Sequence, residues 1–202
     1  MLLFVSHPEI VVDPAVPVPR WQLSPVGIAR ARAFARRIPA PARIVASDET
    51  KAIETAGLLA AAHGLPVAVH PGLAEFDRSA TGYVPHDEHD AIADACFAHP
   101  EESARGWERA VDAQARILAA WREIATATPG PALLVGHGGT GTLLLCALAG
   151  LPIARSHDQP RGGCAWAHDG TRLLFAWTPF EAVTPRPLPA GAGLSAADTG
   201  RS

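Results

Sequence analysis

The chain alternates short apolar runs with longer segments of mixed polarity. Leu2 to Val5 is an uninterrupted apolar run that stops at Ser6, His7 and Pro8, the pattern of a short buried strand. Pro8, Pro14, Pro17 and Pro19 exclude a helix interior and predict a surface loop over residues 8–19. Ser24 before Pro25 is an N-cap followed by proline at the first helical position. Val26, Ala29, Ala33 and Phe34 then form an apolar stripe opposite Arg30, Arg32, Arg36 and Arg37, so residues 25–38 read as an amphipathic helix. Arg43 to Ala46 reads as a second strand, with Ser47 or Asp48 capping a helix that ends near Gly64. Val67 to Val69 is a third strand.

Residues 74–100 are polar and rich in His and acid, and part of the segment is expected to be helical. Trp107, Val111, Leu118 and Trp121 recur at helical spacing and predict one long helix from Glu102 to Thr126, with both tryptophans on its apolar face. Pro129-Gly130-Pro131 ends it, Leu133 to Val135 is a strand, and Gly136-His137-Gly138-Gly139 turns into a helix over 140–149. Cys164 to His168 and Arg172 to Trp177 flank Asp169-Gly170, a hairpin signal. Strands alternating with helices predict an α/β fold, a three-layer α/β/α sandwich whose mostly parallel sheet is expected to be made mixed by the hairpin. The domain is expected to occupy residues 1–182, with 183–202, rich in Pro, Gly, Ala and Ser, as a tail.

Length and charge narrow the function classes. At roughly 150 residues per domain, 202 residues make one domain with a tail. The formal net charge of -3 argues against a protein built to grip nucleic acid or an anionic membrane. Met1 to Val5 lacks a basic region and reaches Ser6 too soon for a secretory signal, and Leu143 to Ala154 is too short to span a bilayer. Cys96, Cys146 and Cys164 are odd in number and widely spaced, which points to reduced thiols in a cytoplasmic protein. Sixteen of the 17 cations are arginine, and the other is Lys51.

In open α/β sheets, ligands sit beyond the carboxyl ends of the strands. Three predicted strand exits carry polar residues: Ser6-His7-Pro8, Ser47 to Lys51, and Gly136 to Gly139. If those strands are parallel neighbours, His7, Lys51 and His137 converge on one crevice beside helix N-termini, which is a site for an anion. An imidazole held there can attack phosphorus. A carboxylic acid, with Glu75 the best candidate, protonates the leaving oxygen. The plain alternative is that each histidine is a hydrogen-bonded structural residue and that Gly138 and Gly139 merely allow a tight turn.

Five segments, in order over residues 2–177, resemble the histidine phosphatase superfamily, the phosphoglycerate-mutase-like fold. Val5-Ser6-His7-Pro8 is similar to the family's Arg-His-Gly segment. Leu23-Ser24-Pro25-Val26-Gly27 is similar to the Leu-Thr-x-x-Gly that starts its first helix. Ser47 to Ala56 resembles Ser-x-x-x-Arg-Ala-x-x-Thr-Ala, Leu73-Ala74-Glu75 resembles Leu-x-Glu, and Leu134 to Gly139 resembles the second-histidine segment. The resemblance implies that His7 carries the phosphoryl group as phosphohistidine and that Glu75 is the acid. It implies that His137 and the cation at position 51 hold the phosphoryl oxygens, with no metal and no cofactor.

Ser6 stands where the family has an arginine, and Lys51 replaces a second one, keeping charge but losing the planar fork. Asp13 falls where many members have a phosphate-binding asparagine, so that Ser6, Lys51, Asp13 and Gly138 make up the expected substrate-binding set. A carboxylate there would oppose a phosphoryl dianion, unless Lys51 pairs with it in the free protein. Arg20, Arg78 and Arg161 could reach in from loops, although each reads rather as a solvated or salt-bridged surface residue. The expected partner is a small phosphorylated molecule, and both a monomer and a homodimer fit the chain. The alternative function is a weak or inactive relative that binds an anionic ligand or a protein partner in the same crevice.

Two other motifs carry less. Gly136 to Gly141 fits GxGxxG, but Pro152, Pro160 and a hairpin follow it where a dinucleotide fold needs another strand-helix unit. His86-Asp87-Glu88-His89-Asp90 has metal-ligand types at close spacing, yet also describes a solvated helix start or a segment covering the substrate. Trp21, following Arg20 in a loop, is a candidate for the pocket wall.

Overall fold

A computed structural model describes residues 1–127 and 130–184. Strands β1 (Leu2–Ser6), β2 (Arg43–Ala46), β3 (Val67–Val69), β4 (Ala132–Gly136), β5 (Cys164–His168) and β6 (Leu173–Pro179) form one sheet in the order β3-β2-β4-β1-β5-β6. The first four are mutually parallel, and β5 and β6 add antiparallel at one edge. Helices α1 (Pro25–Ala35), α2 (Thr50–His63), α3 (His86–Ala98), α4 (Ala110–Ala127) and α5 (Gly138–Ala149) complete the fold. The expected α/β class and mixed sheet are both present.

Alternation along the strands builds the layers, because successive side chains leave a strand on opposite faces. Val5, Ile44, Ala46, Leu133 and Val135 pack beneath α1 and α2, against Phe34, Ala56 and Leu59. Leu2, Phe4, Val45, Leu134 and Trp166 pack on the other face against Ile117 of α4 and Leu144 of α5. Phe4 stacks on Trp166 with ring centroids 5.3 Å apart. A third cluster joins Phe97 of α3 to Phe76, Trp107 and Leu143 beyond the sheet end.

The caps follow local chemistry. Ser24 Oγ accepts from the Gly27 amide at 3.1 Å, and Gly64 ends α2 with a left-handed φ of 64°. Five expectations change. Glu49 rather than Ser47 or Asp48 is the N-cap of α2, and α1 buries Gly27, Ala31, Phe34 and Ala35 while Val26, Ala29 and Ala33 are exposed. The long helix starts at Ala110 rather than Glu102, because Arg105 (φ 53°) and Gly106 (φ 83°) turn the chain out of helical geometry. Trp107 therefore precedes the helix and belongs to the third cluster. Val183 packs into the core and its carbonyl accepts from Arg37, so the packed part runs one residue past the expected boundary. Residues 185–202 of the expected tail lie outside the described residues.

Gly27 positions the chain that follows His7. A Cβ there would lie 2.1 Å from the Glu9 carbonyl oxygen, which also accepts from the Ser24 amide. Gly27→Ala is expected to destabilise the domain by about 1–3 kcal/mol through this overpacking. Urea unfolding measures it, and an unchanged midpoint would mean that the loop shifts freely.

Candidate active site

Parallel register brings the two histidines together. Ser6 pairs with Gly136 across β1 and β4, and the His7 amide donates to the Gly136 carbonyl at 3.0 Å. The next side chain on each strand exit is His7 or His137, and their ring centroids are 5.3 Å apart. His7, Lys51, Glu75, His137 and Gly138 all line one cavity of about 620 Å³.

The His7 ring has a defined tautomer. Its Nδ1 lies 2.9 Å from the Pro8 carbonyl oxygen, which can only accept, so Nδ1 carries the proton. In the neutral ring Nε2 then holds the lone pair. Burial, followed by the charge of Lys51, pulls the His7 pKa down to about 4 against the opposing pull of the Pro8 hydrogen bond and Glu49. The ring is thus the free base at neutral pH.

Glu75 follows the turn after β3, and its carboxylate receives the start of α5. Oε2 accepts from the Gly139 amide at 3.1 Å and Oε1 from the Thr140 amide at 2.9 Å. Burial and then the neighbouring Glu49 raise its pKa, against the Phe76 amide, Arg78 and the Thr140 amide. Gly138 and Gly139 are required for room rather than for a special turn, since neither has positive φ. A Cβ on Gly139 would come 2.7 Å from Glu75 Oε1, and one on Gly138 2.2 Å from Gln159 Nε2.

Glu49 joins the parts, and the sequence reading missed it. Its carboxylate pairs with Lys51 Nζ, accepts from the Glu75 amide at 2.9 Å, and lies 3.3 Å from His137 Nε2. Lys51 also donates to the Val18 carbonyl at 3.1 Å. Burial alone would push the Glu49 carboxyl up, but His137, Lys51 and hydrogen bonds hold it down at about 2. Lys51 is only 2% exposed, and burial lowers its pKa against the pull of Glu49. His137 is fully buried, with Nε2 2.9 Å from Ser47 Oγ and Nδ1 without a partner. Burial drives its pKa well below the usual value, with Glu49 opposing.

Two expected substrate contacts sit elsewhere. Ser6 is buried under the site and absent from the cavity lining. Its hydroxyl accepts from the Cys164 amide at 3.1 Å and donates to Gln159, whose side chain reaches the cavity. Asp13 is exposed and outside the lining, because its carboxylate closes a local turn on the Ala15 amide at 2.9 Å. Lys51 pairs with Glu49 instead. Arg78, read as a surface residue, lines the cavity with its guanidinium 5.7 Å from the centre of the Trp107 ring. Arg161 also lines it but pairs with Glu181 at 2.9 Å, and Arg20 is exposed. Trp21 lines the cavity, as its loop position suggested. His86 to Asp90 open α3. His86 and His89 each approach Asp90, and no group of three or more metal-ligating side chains gathers among the described residues.

A family model described as the histidine phosphatase superfamily, branch 1, matches residues 18–168. The chain belongs to this superfamily. The matched span begins after His7, so the divergent Ser-His-Pro segment lies outside it. Glucosyl-3-phosphoglycerate phosphatase from Mycolicibacterium vanbaalenii is 33% identical over 138 residues, 62% of this chain and 60% of that protein. The match therefore spans less than two thirds of that curated relative. The solved structure of mycobacterial glucosyl-3-phosphoglycerate phosphatase with inorganic phosphate is similar with a TM-score of 0.73 and 25% identity. The likeness covers 90% of this chain and 99% of that one. YhfR from Bacillus stearothermophilus, 24% identical with a TM-score of 0.70 over 87% of this chain and 95% of its own, shares the fold. A glucosyl-3-phosphoglycerate phosphatase is thus among the relatives of this superfamily member. No helix among the described residues is long and apolar enough to cross a membrane.

Glu49→Leu leaves the Lys51 ammonium buried without its carboxylate and is expected to cost roughly 3–5 kcal/mol, whereas adding Lys51→Met recovers most of that loss. Urea unfolding of both variants checks it, and equal losses in the single and double variants would refute the coupling. Glu49 titrates at about 2 when folded and in the ordinary range when unfolded. Its contribution is complete above that range and is lost as pH falls towards 2.

Proposed function

We infer that the protein is a metal-independent phosphoric monoester hydrolase that works through a phosphohistidine at His7 on a small phosphorylated substrate. The observation that carries this reading is the His7 ring itself, neutral, with its proton on Nδ1 and its lone pair on Nε2, beside His137 in the cavity. The Nε2 lone pair forms the P–N bond as the ester P–O bond breaks, and the departing oxygen takes the proton of the Glu75 carboxyl. Water then attacks phosphorus, the Glu75 carboxylate accepts its proton, and the P–N bond breaks to release phosphate and neutral His7. Arg78, Lys51 and His137 face the phosphoryl oxygens, where stabilisation of phosphoryl transfer chiefly resides. The phosphate held by a mycobacterial relative supports a phosphoryl group as ligand. Three free, buried cysteines support a reducing, cytoplasmic setting.

A second reading rests on Glu49. Its carboxylate neutralises Lys51 inside the cavity, which favours a catalytically weak relative that holds an anion without turning it over. Incubation with a phosphomonoester panel followed by a test for acid-labile phosphate separates the two. Turnover with label on His7, lost in His7→Ala, is expected. Bound ester with neither label nor turnover would favour the second reading, and turnover surviving His7→Ala would remove the nucleophile assignment.

His7 must be unprotonated, and its pKa of about 4 puts the acid limb of kcat/KM near there rather than at 6.5. Glu75 must be protonated, so activity falls as pH rises through its raised carboxyl pKa. An acidic optimum is expected in steady-state kinetics, and a maximum above pH 8 would contradict these assignments.

A further inference from the structure

We propose that the substrate's alcohol portion is an uncharged, apolar body such as an aryl-alkyl group, rather than a second anionic or sugar-acid moiety. The proposal rests on the phosphatase reading and deepens it. Two independent features of the cavity away from His7 carry it.

The first is how its cations are partnered. Four lysine or arginine side chains line the cavity: Lys51, Arg78, Arg155 and Arg161. Lys51 pairs with Glu49, and Arg161 with Glu181 at 2.9 Å. Arg155 is held by Asp158, by Asp94 at 2.9 Å and by Asp90 at 3.6 Å. Among the described residues, Arg78 is the lining cation with no carboxylate within ion-pair distance, and the phosphoryl group beside His7 claims it. A carboxylate on the far end of the substrate would have to displace Asp94 and Asp158 from Arg155 or Glu181 from Arg161. It would also enter beside Asp90 and Asp158, which line the cavity themselves.

The second feature is the wall. Phe76, Phe97 and Trp107 form a buried apolar floor between α3 and the start of α4. Trp21 and Tyr83 meet across the mouth from two separate loops, with ring centroids 5.8 Å apart. Tyr83 is 40% exposed and Val12 52% exposed, so the rim presents uncovered apolar surface along the path to His7. A cavity of about 620 Å³ is far larger than a phosphoryl group needs. His86, His89 and Gln159 also line the cavity, and small-molecule sites usually combine apolar walls with such placed polar groups. Burying an aryl-alkyl body there removes apolar surface from water on both sides.

The experiment compares kcat/KM of the full-length protein for 2-phenylethyl phosphate and 3-phosphoglycerate, both esters of primary alcohols, with phosphohistidine formation followed in parallel. The phenylethyl ester is expected to be preferred by about tenfold or more, with Tyr83→Ala lowering that preference by about fivefold, mainly through KM. Equal or reversed preference with label on His7 would overturn the proposal while leaving the phosphatase reading intact. Absence of turnover and label with both esters would overturn the phosphatase reading and the proposal with it. A Tyr83→Ala preference equal to wild type would remove the rim from the recognition surface and overturn the account of the wall.

Discussion

The buried carboxylate of Glu49 is the group on which the site depends. It is 7% exposed, yet it holds Lys51, lies against His137 and accepts from the backbone amide of Glu75. His137, Lys51 and Glu49 have been taken out of water at the ends of parallel strands, and His7 and Glu75 partly so, which is costly unless charges meet opposite charges. Glu49 meets that demand for Lys51, and its negative charge opposes the desolvation that keeps His137 neutral. The same charge raises the Glu75 pKa, which suits a proton donor. One carboxylate thus supports structure and sets the ionisation of the chemistry.

The departures from the family pattern form a connected set in space. Where the family has an arginine, Ser6 holds Gln159, and Gln159 lies over Gly138 in the cavity. Where it has a second arginine, Lys51 is paired with Glu49. Arg78 enters the cavity from beyond Glu75 and supplies a guanidinium by another route. The phosphoryl end is therefore less cationic than a two-arginine clamp, and the remainder of the cavity combines apolar wall and paired charges with the polar side chains of His86, His89 and Gln159. Both point to selection by the body of the substrate as much as by its phosphate.

Much of the fold was legible because the signals were local. The Leu2–Val5 run, the Ser24-Pro25 cap, Gly64 and the Asp169-Gly170 turn each act within a few residues, and each produced the element expected. The failures were also local. Arg105 and Gly106 adopt positive φ inside the helical periodicity, so Trp107 lies outside the helix and forms part of the cavity floor. Asp13 had a partner two residues away, the Ala15 amide, which a family correspondence does not reveal.

The sequence by itself determined the α/β class and the strand exits bearing His7 and His137, and through the Leu-x-Glu resemblance it pointed to Glu75 as the candidate acid, because polarity period and motif order survive without coordinates. Only the tertiary structure decided which charge meets which. Glu49 is two residues from Lys51 in the chain, but its contacts with His137 and the Glu75 amide come from neighbouring strands brought into register. Arg78 and Arg161 look alike as loop arginines, and only packing distinguishes the one without a carboxylate from the one held by Glu181. The lone lysine, conspicuous in the sequence, acquires its chemistry from where it is buried, since burial decides whether a charge is hydrated, paired or free to meet a ligand.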